Sequence, residues 1–222
     1  MKRKSIIWAL IACLCLSCSK DFLDTTPTDE VDADVVFTTV TGAQAVLDGM
    51  SRQLRSQDAG GRDDYFGQKA IDIDWDLMGE DITCTESDWF IYDYQLDYRM
   101  AYWVRCSQPW TLYYVLINNA NNILANKDVI PFESEAQEAS IIGQALAYRA
   151  FAYFNLVNIY QFTYIGHESD PGVPVYTEPT TEGKGRGTVQ QVYDQITDDL
   201  DEAIIIMTAS PSPRRHISDI NL

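Results

Sequence analysis

The chain has 222 residues, enough for one or two domains. It carries 33 acidic and 16 basic residues, a formal net charge of −17; so acidic a body repels phosphate backbones and argues against a nucleic-acid partner. With 13 Tyr and 5 Trp it is not a disordered acidic tail, and its two histidines, His167 and His216, stand too far apart for a His-rich metal site.

Lys2, Arg3 and Lys4 precede an apolar run from Ile6 to Leu16. The run suits the hydrophobic region of a signal peptide and is too short to span a bilayer. It ends at Ser17-Cys18, a small residue before a cysteine as in a bacterial lipobox, although Cys15 stands where Leu is usual. The expectation is a lipoprotein signal peptide over 1–17 and a lipid-modified Cys18. The body holds two more cysteines, Cys84 and Cys106. They could pair in an oxidising compartment, a point that spacing alone leaves open.

Residues 18–37 read as an extended leader, since Pro27 disfavours helix on both sides of itself. Thr41 to Gln44 has capping-box spacing and opens a helix over 41–56, with Ala45, Val46, Met50 and Leu54 on one face. Residues 57–106 show no sustained period and predict a long loop region with short strands or turns, dense in Trp and Tyr. A helix follows from Gln108 to Asn126, with Pro109 in its first turn. Ser134 caps a longer helix over 135–161, carrying Ile141, Ile142, Ala145, Leu146, Ala152, Tyr153 and Leu156. The two form an αα-hairpin. Gly166 to Pro179, with three prolines, reads as an extended surface segment. Thr188 and Gln191 start a last helix to about 206, striped by Val192, Ile196, Leu200 and Ile204. No element after it matches that stripe, which predicts that the chain is the early part of a longer protein.

The segment 72–106 has the side chains that sugars favour. Pyranose C–H faces stack on Trp and Tyr rings, and hydroxyls bond to carboxylates and Arg. Trp75, Glu80, Asp81, Trp89, Tyr92, Tyr94 and Arg99 are the candidate ligand residues, with Trp89 foremost because it sits between Asp88 and a Tyr-rich run. The competing reading packs these rings as core. Asp72-x-Asp74-x-Asp76 lacks the Gly and Glu of a calcium loop, and Gly183 to Gly187 lacks the lysine-serine pair of a phosphate loop. No G-x-S-x-G occurs, and carboxylates this frequent make pairs by chance, so a surface glycosidase is the weaker alternative. Neither a cofactor, a metal nor catalysis is expected. A helical docking scaffold without its own ligand is the other alternative.

Four segments in order resemble the SusD/RagB family of outer-membrane nutrient-binding lipoproteins of Bacteroidota. They are Cys18 to Asp24 with Thr26-Pro27; Gly143 to Leu156, with its Arg149-Ala150-x-x-Tyr153 core; Gly172 to Val175 with Glu178-Pro179; and Arg186-Gly187-Thr188 with Val192-Tyr193, Ile196, Asp199-Leu200 and Ala203. The stretch Gln161 to Asp170 is longer than the Gly-rich turn usual there. The resemblance implies a mainly α fold of tetratricopeptide-like hairpins carrying a long aromatic-rich loop region, here as a helical domain over 38–222 that is incomplete at its C-terminus. It implies a protein about twice this length or more, with further ligand residues in the remainder. It also implies an outward-facing lipoprotein of the outer membrane. Such a protein binds oligosaccharide or a similar nutrient and delivers it to a TonB-dependent transporter of the SusC type.

Overall fold

The computed structural model describes residues 33–56, 62, 64–79 and 82–212. The signal peptide, Cys18, most of the leader, Glu80 and Asp81 lie outside the described residues. From Val36 onward the chain forms one compact unit. After a helical turn at Ala33–Val36, its elements are α1 (Val40–Gln53), α2 (Gly67–Met78), the single turn α3 (Ile91–Tyr94), α4 (Val104–Ala125), α5 (Glu135–Tyr160) and α6 (Val189–Ala209). No strand forms among the described residues beyond an isolated antiparallel bridge between Pro171 and Thr188. The fold is mainly α, as expected. Among the described residues no helix is long and apolar enough to cross a membrane.

Caps set the helix starts. Ser134 accepts from the Gln137 N–H at 3.3 Å. Thr188 and Gln191 make the reciprocal capping box that the sequence predicts. At α1 the expectation fails by two residues: Thr39, not Thr41, is the cap, accepting from the Gly42 N–H at 3.0 Å. The buried face turns accordingly to Ala43, Leu47 and Met50, and Ala45 is exposed. α4 also begins earlier than predicted, at Val104, which leaves Pro109 inside the helix rather than in its first turn.

Two larger corrections concern the middle and the end. The stretch predicted as loop contains α2, a three-turn helix. Its buried residues Gly67, Ala70, Ile71, Asp74 and Leu77 do keep a helical period, but an aspartate stands in the stripe and hides it. Gly67 lies at φ +66°, where a Cβ would meet the Leu54 carbonyl oxygen at 2.3 Å. That glycine lets the Gln68 N–H bond to Leu54 O at 2.9 Å, so that α2 starts against the end of α1. The stripe on α6 is not unmatched. Val189, Val192, Ile196 and Ala203 are buried where α6 packs on α5, and Ile204 and Ile205 alone of the apolar run stay largely outside. α5 accommodates both neighbours because it is apolar on nearly every face, with Ala145, Leu146, Ala152, Tyr153 and Leu156 all buried.

The proline-rich segment after α5 is extended, but it is not a surface segment throughout. Gly172, Val173 and Pro174 are buried. The Tyr114 hydroxyl donates to Pro174 O at 2.8 Å, and Tyr153 both donates to Tyr176 O (2.9 Å) and accepts from its N–H (2.6 Å). Asn121 Nδ2 donates to the carbonyls of Tyr176 and Glu178 at 3.1 and 3.2 Å. Arg149 completes this lock. It forms a buried bidentate pair with Asp199 of α6, at 2.8 and 2.6 Å, and donates to Asn121 Oδ1 of α4 at 2.8 Å. Arg149 and Tyr153 of the family-like motif are therefore structural.

Breaking a buried pair strands a charge. Arg149→Leu is expected to lower the unfolding free energy by about 3–5 kcal/mol in urea denaturation. A loss under about 1 kcal/mol would show that the pair is not what holds α4, α5 and α6 together.

Candidate functional site

The segment between α2 and α4 is held by a second buried guanidinium. Arg105, in the first turn of α4, contacts Asp64 and Asp74 closely, lies 3.0 Å from Asp93 Oδ2 through Nε, and donates to the Asp64 carbonyl at 2.9 Å. Asp64 also takes a bidentate pair from Arg62, at 2.8 and 2.6 Å. One cation thus joins the stretch before α2, α2 itself, α3 and α4. Asp74 Oδ1 and both Asp93 oxygens are buried without an aligned hydrogen-bond donor.

The carboxyls respond differently. Burial opposes ionisation of Asp64, but hydrogen bonds from Arg62 and the charge of Arg105 outweigh it, and Asp64 sits below the usual carboxylate range. Burial dominates at Asp74 and, helped by the nearby Asp93 charge, pushes it up to about 8 despite Arg105. Burial also raises Asp93, against the pull of Arg105 and Arg99.

Outside this ionic centre the aromatic side chains form a run. Trp89 and Tyr92 have ring centroids 6.4 Å apart, Tyr92 and Tyr98 4.5 Å, Tyr98 and Trp103 4.2 Å, and Trp103 and Tyr102 6.1 Å. The Arg62 guanidinium covers one side of the Trp89 ring at 3.8 Å from its centroid. Trp89 is nevertheless 40% exposed and Tyr102 75%. Leu96 and Tyr98 adopt φ of +56° and +54°, a left-handed conformation that is strained for such side chains. The ionic centre also lines an open cleft of about 600 Å³, walled by Trp75, Met78, Arg99, Pro109 and Tyr160, with the buried Asp74, Asp93 and Arg105 at its base.

The candidate residues divide. Trp75, 40% exposed, and Arg99 both line the cleft. Trp89 and Tyr92 belong to the aromatic run, while Tyr94 is exposed at the end of α3 and Glu80 and Asp81 lie outside the described residues. Trp89 is not core. Cys84 and Cys106 are both free thiols. Asp72, Asp74 and Asp76 stand on one helix, where Asp74 serves Arg105 and Asp72 accepts from Gln68 at 2.9 Å. Sequence reasoning missed Arg62, Asp64 and Arg105. The signal was a charge at a stripe position: Asp74 recurs with Ala70, Ile71 and Leu77, and a carboxylate on an apolar face needs a buried partner.

Comparison with known proteins decides the family. The SusD-like family described as "Starch-binding associating with outer membrane" matches residues 21–219. The chain belongs to the SusD-like family. A SusD-like carbohydrate binding protein from Bacteroides vulgatus is 26% identical with a TM-score of 0.65, over 81% of this chain and 37% of that one. A SusD superfamily protein from Bacteroides vulgatus (22% identity, TM-score 0.66) is matched over 79% of this chain and 39% of its own. One from Bacteroides thetaiotaomicron (23%, TM-score 0.60) is matched over 76% and 37%. These last two likenesses show the fold. The SusD-like chain thus spans well under half the length of these relatives. No curated protein gives a significant match.

An exposed ring leaning on one guanidinium contributes little to stability. Trp89→Ala is expected to cost no more than about 2 kcal/mol in urea denaturation. Tyr153→Ala, at a fully buried ring, is expected to cost about 3–5 kcal/mol. A loss at Trp89 as large as that at Tyr153 would make Trp89 a packing residue.

Proposed function

We propose that the SusD-like chain binds oligosaccharide on the surface formed by Trp75, Trp89, Tyr92 and Arg99, without chemical turnover. The observation that carries this reading is an aromatic run with Trp89, Tyr98 and Tyr102 exposed, and an open cleft lined by Trp75 and Arg99, both on a segment fixed by buried charge. Exposed Trp and Tyr faces offer stacking area to pyranose rings at little conformational cost, and Arg99 supplies hydroxyl-directed donors at the rim. The family description and the carbohydrate-binding relative point the same way. Glu80, Asp81 and Tyr94 are further proposed contributors.

The same reading gives the protein a lipid anchor at Cys18, an outward orientation on the outer membrane and a TonB-dependent SusC-type transporter as its partner. The support is the basic, apolar and Ser17-Cys18 pattern of the N-terminus together with the family's outer-membrane association. Helices packed in series, α4 to α6, suit a docking face for such a partner.

Two experiments test this. In titration calorimetry with maltoheptaose and a panel of other neutral oligosaccharides, Trp89→Ala is expected to weaken the binding seen by about 1–3 kcal/mol while leaving the circular dichroism melt nearly unchanged. Unchanged affinity in the folded variant would remove Trp89 from the site. Labelled palmitate is expected to enter the protein in cells and to be lost in Cys18→Ala; equal labelling of both would refute the anchor.

A further inference from the structure

Among the described residues, the carboxyls at the base of the cleft outnumber the guanidiniums that contact them. Asp64, Asp74 and Asp93 carry three charges when ionised, and the two guanidiniums that contact them, Arg62 and Arg105, carry two. Arg99 stands exposed to water, 3.5 Å from the Asp93 carbonyl, and its pull on the Asp93 carboxyl is weaker than that of Arg105. A proton on one carboxyl balances the buried set. Asp74 and Asp93 are the place for it. Both contact the one Arg105 guanidinium, and among the described residues Asp74 Oδ1 and both Asp93 oxygens have no aligned hydrogen-bond donor. Asp64 already accepts two bonds from Arg62 and stays ionised.

We propose that a proton held between Asp74 and Asp93 latches residues 88–103 onto Arg105, making the aromatic platform a pH-gated element. Asp93 is the sole side chain by which α3 joins Arg105 among the described ion pairs, so loss of the proton puts repulsion between α2 and α3 where the platform is fastened. Among the described residues, several elements bring titratable groups to Asp74. α3 brings Asp93 and the turn after it Arg99. α4 brings Arg105 and the Cys106 thiol, and α5 brings Tyr160 across the cleft. Arg62 and Asp64 come from the stretch before α2. Burial raises both the Cys106 thiol and the Tyr160 hydroxyl, so neither titrates in the relevant range.

The sign follows from linkage. Asp74 titrates near 8 when latched and near its ordinary value of about 3.9 when released into water. The latched state therefore binds more protons. Its advantage is full below about pH 4, declines by about tenfold per pH unit as pH rises, and is gone above about pH 8. The proposal deepens the binding reading by adding regulation, and it is tested without a ligand so that the two can fail separately.

The experiment is amide hydrogen exchange by mass spectrometry on the purified protein from pH 5 to 9.5, corrected for the intrinsic pH dependence of exchange. In the wild type the opening of peptides covering 88–103 is expected to rise about tenfold per pH unit up to about pH 8 and then level off. Peptides covering 141–157 of α5 should hold constant, which separates latch release from global unfolding. Asp74→Asn keeps a donor toward Asp93 without the charge and is expected to abolish most of the slope. Asp93→Asn removes the same charge from the other side and is expected to do likewise, so one of the two variants failing to fold leaves the other as the test. A wild-type profile for 88–103 that is flat between pH 5 and 8 overturns the proposal, as does a folded variant that retains the full slope. Loss of glycan binding in Trp89→Ala alongside a flat exchange profile would retain the binding site and discard the latch.

Discussion

The Arg149 guanidinium is the constraint on which the helical body depends. A charge so deeply buried is tolerated only when every donor direction is answered, and the answers come from three directions. Asp199 on α6 takes the bidentate pair, Asn121 on α4 takes a third donor bond, the Thr177 carbonyl of the extended segment accepts at 3.4 Å, and Asn121 in turn fixes the carbonyls of Tyr176 and Glu178. Apolar packing between α5 and its neighbours is tolerant of sliding, because Ala and Leu contacts are non-directional. The planar fork of an arginine is directional. It sets the register of α4 and α6 on α5 and determines where the extended segment lies.

Arg105 repeats this logic at the other end of α4, with an imbalance. Arg149 meets a single carboxylate and a neutral amide, one charge against one. Arg105 meets three carboxyls. The first arrangement suits a permanent scaffold and the second a segment whose attachment varies with conditions. The rings from Trp89 to Tyr102 ride on the second arrangement, which matters because a saccharide face is recognised by rings held at defined positions.

Much of the helical body was legible in the sequence. α5 and α6 show their caps at Ser134 and Thr188, and the hairpin of α4 with α5 follows from two strong periods and a short connection. The errors have physical causes. Two threonines compete to cap α1, and local spacing cannot say which hydroxyl meets an amide. The burial of 172–174 and the path to Tyr176 depend on donors from Tyr114, Asn121 and Tyr153, all of them distant in sequence. At the candidate site, Trp75, Trp89 and Arg99 were singled out from composition, and the structure leaves all three exposed. Asp64, Asp74, Asp93 and Arg105 form a cluster only in three dimensions, where charges from four separate segments share one interior.

Pro109 adds a mechanical consequence. Inside α4 it lacks the N–H that would bond to the Arg105 carbonyl, and its ring crowds that same carbonyl. The turn carrying Arg105 is therefore joined to the rest of α4 by a weakened backbone ladder. In the language of local unfolding, the proline marks a seam between two cooperative units. On one side α4, α5 and α6 share the Arg149 lock. On the other, the first turn of α4 carries the Arg105 contacts to α2 and α3, so the proline stands where the two ionic networks meet along one helix.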